Sequence, residues 1–214
     1  MARTLSAARA ELSAADPVMA ELIRRLGKRS AAQRRRGEPK PDPYGALLRT
    51  VVSQQLSSKA ARTIYGRILE LFGGATPTPE QILAASESDL RAAGLSGRKV
   101  EYIRDLAAHV RSCELELDRF GEMSDEEVIE EISAVRGFGR WSAEMFLIFH
   151  LERPDVISGG DLGIRKAIQI AYGMEEMPTP AEVEEIAERW RPNRSLASIY
   201  LWESLAGDVT VGGT

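Results

Sequence analysis

The stretch SAVRGFGRWSAEMFLIF, residues 133–149, joins the end of one helix to the start of another through Gly137-Phe138-Gly139. A hairpin that tight needs residues without a Cβ, both to reach unusual backbone angles and to let a second backbone come close. With the second helix starting near Arg140, the N–H groups of Gly137, Gly139 and Ser142 lie at the positive end of its dipole and lack intrahelical acceptors. Such a nest suits a phosphate oxygen. The same glycines also fit an ordinary turn between two helices, and a G-x-G alone does not separate the two readings.

Outward from the hairpin, the chain reads as all-α. Apolar residues recur at helical spacing and no segment alternates over a strand length. Leu47, Leu48, Val51, Val52 and Leu56 form one stripe after Pro43, and Ala61, Ile64, Ile68, Leu69 and Phe72 the next, stopped by Gly73 and Gly74. Thr78 and Ser86 stand as N-caps of short helices, a longer helix runs from about Gly97 to Cys113, and Ser124 with Glu127 is a capping box ahead of the helix that ends near Arg136. Helices from Trp141 to His150, Asp161 to Tyr172, Thr179 to Arg191 and about Ser195 to Leu205 complete the set, roughly ten short helices in all by sequence pattern.

A chain of 214 residues with 43% apolar content can bury a core as one domain or two small lobes, which excludes disorder as its main state. Apolar runs such as 145–149 fall far short of the roughly 20 residues of a bilayer span, and the N-terminus lacks a signal-peptide block, so the expectation is a soluble, cytoplasmic protein. One cysteine, Cys113, rules out an internal disulfide, a four-cysteine zinc site and a cysteine-ligated iron–sulfur cluster, and two histidines leave little for a metal centre. The net charge of −4 argues against coating nucleic acid by bulk electrostatics, yet residues 1–70 carry +8 and the remainder −12. The basic run Arg24, Arg25, Lys28, Arg29, Arg34, Arg35, Arg36 and Lys40 fits either phosphate contact or a solvated arm.

Further segments give the hairpin a context. VVSQQLSSKAARTI (51–64), LRAAGLSGRKVEYIRDLA (90–107), DVISGGDLGIRKAI (155–168) and ERWRPNRSLASIYLW (188–202) occur with it in order. Together they resemble the helix-hairpin-helix superfamily of DNA glycosylases, named for the hairpin and its Gly/Pro-rich loop with a catalytic Asp (HhH-GPD), in its 3-methyladenine DNA glycosylase II branch. The resemblance spans about residues 43–205. It implies two helical lobes with a cleft between them, residues 45–150 forming a helical barrel with the hairpin and residues 1–44 plus 151–214 forming the other lobe. The extra N-terminal β-domain of longer members has no room here.

By motif position, the resemblance makes Asp161 the catalytic carboxylate, stabilising an oxocarbenium-like sugar or deprotonating the attacking water. Asp161 is also placed to cap the helix that follows. Asp155, at the start of the loop, takes a structural hydrogen-bonding role, and Ser158 stands where the family often has Pro, ahead of Gly159 and Gly160. Trp141 occupies the place where strand-nicking relatives carry a Schiff-base lysine, which implies a monofunctional enzyme. Trp141, Trp202 and Met145 are implied as walls for a flipped base, with Gln54 and Gln55 either lining the pocket or only joining helices. An alkylated purine is cationic, and a cation over an indole gains about 0.5–2 kcal/mol. DNA contacts are implied at Gly137, Gly139, Arg140 and Ser142, and in the turn Leu95, Ser96, Gly97, Arg98 and Lys99, where Leu95 is the apolar wedge and Gly97 falls where a relative carries a larger one; the same residues also fit a plain turn between helices. Hairpins of this kind hold a structural Na+ or K+ on backbone carbonyls, here those of Ser133, Val135 and Phe138.

The resulting expectation is a monomeric DNA-3-methyladenine glycosylase II, needing no redox cofactor or catalytic metal, that hydrolyses the N-glycosidic bond of 3-methyladenine and 7-methylguanine in double-stranded DNA. A glycosylase for hypoxanthine, ethenoadenine or uracil, a damage-binding module without turnover, and a helical interaction protein remain the alternatives.

Overall fold

A computed structural model describes residues 4–27 and 42–206. Twelve α-helices and two short 3-10 helices, with no strand, make up the described residues. The chain divides into two compact units, one from residues 1–39 with 152–214 and one from residues 40–151.

The first unit contains two helices that carry no motif, Leu5–Ala15 and Pro17–Leu26, broken at Asp16 because proline at the next position cannot donate into the preceding helix. Their apolar faces meet the helices Leu162–Tyr172, Pro180–Ala187 and Arg194–Ala206 around Leu12, Met19, Leu22, Ile168, Val183, Trp190, Tyr200 and Leu201. Asp16 is buried in this core. Its Oδ1 caps the second helix through the N–H of Val18 (2.9 Å), and its Oδ2 accepts from Trp190 Nε1 at 2.9 Å and from the Tyr172 hydroxyl. All its donors are protein groups, the condition under which a carboxylate is tolerated out of water.

The second unit begins with the helices Pro43–Ser53 and Ser58–Leu71, followed by the short Pro79–Ala84 and Glu87–Ala92 and the long Gly97–Arg111. The 3-10 turn Leu117–Gly121 leads into Asp125–Ala134 and Arg140–Phe149, the two arms of the hairpin. Leu47, Leu48, Val51, Ile82, Ile103, Leu106, Phe120, Val128, Ile132 and Leu147 are buried at its centre. The capping signals read from the sequence are realised: Thr78, Ser86 and Ser124 each accept from a backbone N–H three residues on, and the Ser124–Glu127 box closes in both directions.

Candidate active site

The loop from Asp155 to Asp161 is tied down at both ends. Asp155 accepts from Arg194 Nε at 2.8 Å and Arg191 Nη1 at 2.7 Å, which fastens the loop's start to the helix Arg194–Ala206. Ser195 reinforces the same joint, its hydroxyl accepting from the N–H of Val156 at 2.9 Å and donating to the carbonyl of Arg153 at 2.6 Å. Gly159 is demanded by space, since a Cβ there would lie 2.8 Å from the carbonyl oxygen of Pro180. Gly159 is therefore packed in place, whereas Gly160 is exposed and an added Cβ there would meet nothing within 4 Å.

Asp161 ends this loop and caps the helix Leu162–Tyr172, its Oδ1 accepting from the N–H of Ile164 at 2.8 Å. The same oxygen accepts from the indole Nε1 of Trp202, also at 2.8 Å. Two donors on one oxygen fix the plane of the carboxylate. Trp202, read from the sequence as a stacking wall, is in the structure a hydrogen-bond donor that orients Asp161. Gly163 makes the arrangement possible: a Cβ at that position would stand 3.0 Å from Asp161 Oδ1 and 3.1 Å from the Trp202 ring.

The hairpin is built on similar constraints. Gly137 has φ +88°, and a Cβ there would fall 2.3 Å from the ring of Tyr102, so only glycine fits. Gly139 is different: its φ is −136° and an added Cβ would meet nothing within 4 Å. Ten described helices open with a Ser, Thr or Asp side chain closing a first-turn N–H, but Arg140–Phe149 opens on Gly139 and has no side-chain cap. No side chain caps that first turn, and the space beside Gly139 is open, which suits an external anion acceptor.

Trp141 lies in the first turn with 47% of its surface exposed, and Met145 follows one turn later on the same side. Ser142 is buried, so its hydroxyl is not presented outward. Arg140 turns its guanidinium back onto Glu126 and lies 3.7 Å from Glu144, so it is not a bare phosphate ligand. Ser133 Oγ is buried without a hydrogen-bond partner, while the Val135 carbonyl accepts from the N–H of Phe138 at 3.1 Å and keeps a second lone pair.

Three sequence expectations change. Leu95 is 4% exposed and belongs to the core, so it cannot serve as a wedge; Ser96 and Arg98 are the exposed members of that turn, and Gly97 is half-buried. Lys99 does not reach outward, because its Nζ donates to the carbonyls of Val52 at 2.7 Å and Gln54 at 2.8 Å. Gln54 spends its side-chain amide on the carbonyl of Gly137 at 2.9 Å and so fastens a loop to the hairpin. The exposed apolar residue in this region is Leu56, 38% accessible, next to Gln55 at φ +57°. Leu56 falls outside the helix whose apolar stripe its spacing extends, and only the broken helical register at Gln-Gln hinted at this. Of the basic N-terminal run, Arg24 and Arg25 both pair with Glu21, and Lys28 to Lys40 lie outside the described residues.

A family profile described as HhH-GPD superfamily base excision DNA repair protein matches residues 48–192. The chain belongs to that superfamily. Its relatives include the DNA-3-methyladenine glycosylase 1 of Schizosaccharomyces pombe, 35% identical over 94% of this chain and 88% of that protein. The structure of this yeast glycosylase in complex with abasic DNA superposes with a TM-score of 0.84 over 95% of this chain and 98% of that one. A DNA-3-methyladenine glycosidase from Bacillus halodurans is 36% identical, with a TM-score of 0.70 over 88% of this chain and 89% of its own. The all-α helix-hairpin-helix fold of the HhH-GPD superfamily is therefore that of this chain, and among the described residues no helix is long and apolar enough to cross a membrane.

Proposed function

We propose that this HhH-GPD protein is a base-excision glycosylase that hydrolyses the N-glycosidic bond of alkylated purines, 3-methyladenine and 7-methylguanine, in duplex DNA. The observation that carries the reading is the carboxylate of Asp161, held by Trp202 Nε1 and the Ile164 N–H at 2.8 Å each. An anion whose orientation is fixed before substrate arrives stabilises the positive charge that develops on the sugar as the bond breaks, without reorganising during the reaction. The alkylated base leaves with the bonding electron pair and becomes neutral, water supplies the hydroxyl on C1′, and one proton is released. The balance needs water alone, so no redox cofactor takes part, and a cationic leaving group needs no strong general acid.

Trp141 and Met145 present the apolar, electron-rich surface on which a cationic base stacks. With Trp141 in place of an amine, no Schiff base forms at this position and the abasic strand stays intact. The hairpin N–H groups at Gly137, Gly139 and Ser142 hold phosphate, with Ser133, Val135 and Phe138 offering their carbonyls to a structural cation. Leu56 on its turn is the apolar side chain that fills the stack after the base is flipped out. The compartment is the one that holds the DNA, the cytoplasm and its nucleoid in a bacterium.

The test is incubation of the protein and its Asp161→Asn variant with duplexes carrying each lesion, scoring free base and strand breaks before and after alkali. Base release by the wild type, at least about a hundredfold slower in the variant and with breaks only after alkali, is expected. Tight binding without release from this and a wider lesion panel would overturn the reading.

A further inference from the structure

Lys99, Tyr102 and Asp105 follow one another at intervals of three along one side of the helix Gly97–Arg111, the first meeting the segment 52–54 and the other two the hairpin at Arg136 and Gly137. Lys99 Nζ gathers the carbonyls of Val52 and Gln54 at 2.7 and 2.8 Å, closing the end of the helix Pro43–Ser53 just before the chain reverses at Gln55, φ +57°. Those carbonyls are among the terminal acceptors that a helix leaves open, and an ammonium with three donors serves two at once. Tyr102 lies beneath Gly137, and Asp105 Oδ2 accepts from the N–H of Arg136 at 2.7 Å. The loop is also tied directly to the hairpin, through Gln54 Nε2 and the carbonyl of Gly137 at 2.9 Å. One helix face thus holds both the Gln54–Leu56 turn and the hairpin, its bonds to them spanning 45 and 31 residues of sequence.

We propose that Lys99 is a positioning residue for base flipping: it sets the Gln54–Leu56 turn against the hairpin so that Leu56 enters the DNA stack while the hairpin holds the phosphate. The inference rests on the glycosylase reading, and assigns this lysine to internal bracing and not to phosphate. Burial supports it, since withdrawal from water holds the Lys99 ammonium below the ordinary lysine range, a setting that surface phosphate contacts do not require.

The distinction is measurable with the full chain and a duplex carrying a tetrahydrofuran abasic analogue beside 2-aminopurine. A lysine that contacts phosphate contributes about one unit to the slope of log Kd against log salt, whereas a brace contributes none. Lys99→Met is expected to keep the wild-type salt slope and to lose the rise in 2-aminopurine fluorescence that marks unstacking, as Leu56→Ala does, with single-turnover base release falling about tenfold or more. Lys99→Arg, which retains donors for the two carbonyls, is expected to restore the fluorescence. Gln54→Met severs only the link to the hairpin and supplies the same test should Lys99→Met fail to fold; it is expected to lose the fluorescence at an unchanged slope. A slope lower by about one unit in Lys99→Met, or full fluorescence in both Met variants, overturns the brace while leaving the glycosylase standing. If the wild type releases base but leaves 2-aminopurine dark, the inserting role of the turn falls and the brace with it; if it releases no base from any lesion, the glycosylase reading itself falls.

Discussion

The indole Nε1 of Trp202 donates to Oδ1 of Asp161 at 2.8 Å, across 41 residues of sequence. A hydrogen bond to a charged acceptor contributes about 1.5–3 kcal/mol, so this contact is large enough to govern how the carboxylate meets the sugar. Trp202→Phe keeps an aromatic ring of similar shape and deletes the donor. Single-turnover base release is expected to slow about tenfold to a hundredfold while affinity for an abasic duplex changes little. Equal losses in both would assign Trp202 to stacking alone.

Gly163 leaves the room in which that bond forms. Gly163 is the second residue of its helix, where alanine gains over glycine at most the roughly 1 kcal/mol it gains in a helix interior. Here its Cβ would press Asp161 Oδ1 from 3.0 Å and the Trp202 ring from 3.1 Å. Gly163→Ala is therefore expected to keep or raise the melting temperature and to lower the rate of base release about tenfold, because the carboxylate is displaced. Thermal unfolding and single-turnover kinetics on one preparation check both halves.

The two hairpin glycines should separate folding from binding. Gly137→Ala forces a Cβ to within 2.3 Å of the Tyr102 ring at φ +88°, and a loss of about 2 kcal/mol or more in unfolding free energy is expected. Gly139→Ala meets no neighbour and needs no unusual φ, so stability should stay level or rise by about 0.5 kcal/mol. On the phosphate-binding reading its methyl group crowds the anion contact of the hairpin, and affinity for an abasic duplex should fall about tenfold. Urea titrations beside DNA titrations distinguish the pair.

Asp16 makes the fold sensitive to acid. Burial pushes its pKa up, but the bonds from Tyr172, Trp190, Val18 and Met19 together outweigh burial and hold it below the ordinary aspartate value. A depressed native pKa contributes stability that is complete above the unfolded-state value of about 3.9 and is lost as the pH falls through the native one. Asp16→Asn turns an amide toward donors and should cost about 2 kcal/mol at pH 7. The gap between wild type and variant in urea unfolding is expected to narrow steadily below about pH 4. A gap that widens on acidification would contradict the assignment.

Much of this was legible in the sequence. Helix boundaries were readable at Ser124, Thr78 and Thr179 because a cap and its partner lie three residues apart, so the interaction is local and leaves a local pattern. The two helices flanking Asp16 were not placed individually from the sequence, although Thr4, and Asp16 followed by Pro17, supply the same kind of local capping signal. Asp161 was found by its place in an ordered set of segments, and the hairpin by its glycines.

What the sequence by itself determined is the class of fold, the positions of most helices, the family motifs and the residue types available for chemistry. Only the tertiary structure decided which of them are exposed and what they touch. Leu95 and Leu56 look alike as apolar residues near turns, yet one is 4% and the other 38% exposed. Lys99 reads as a surface cation beside Arg98, yet it lies where the carbonyls of a helix 45 residues earlier converge on it. The physical reason is that periodicity and capping record interactions between neighbours along the chain, whereas burial and hydrogen-bond partners depend on which distant segments pack alongside.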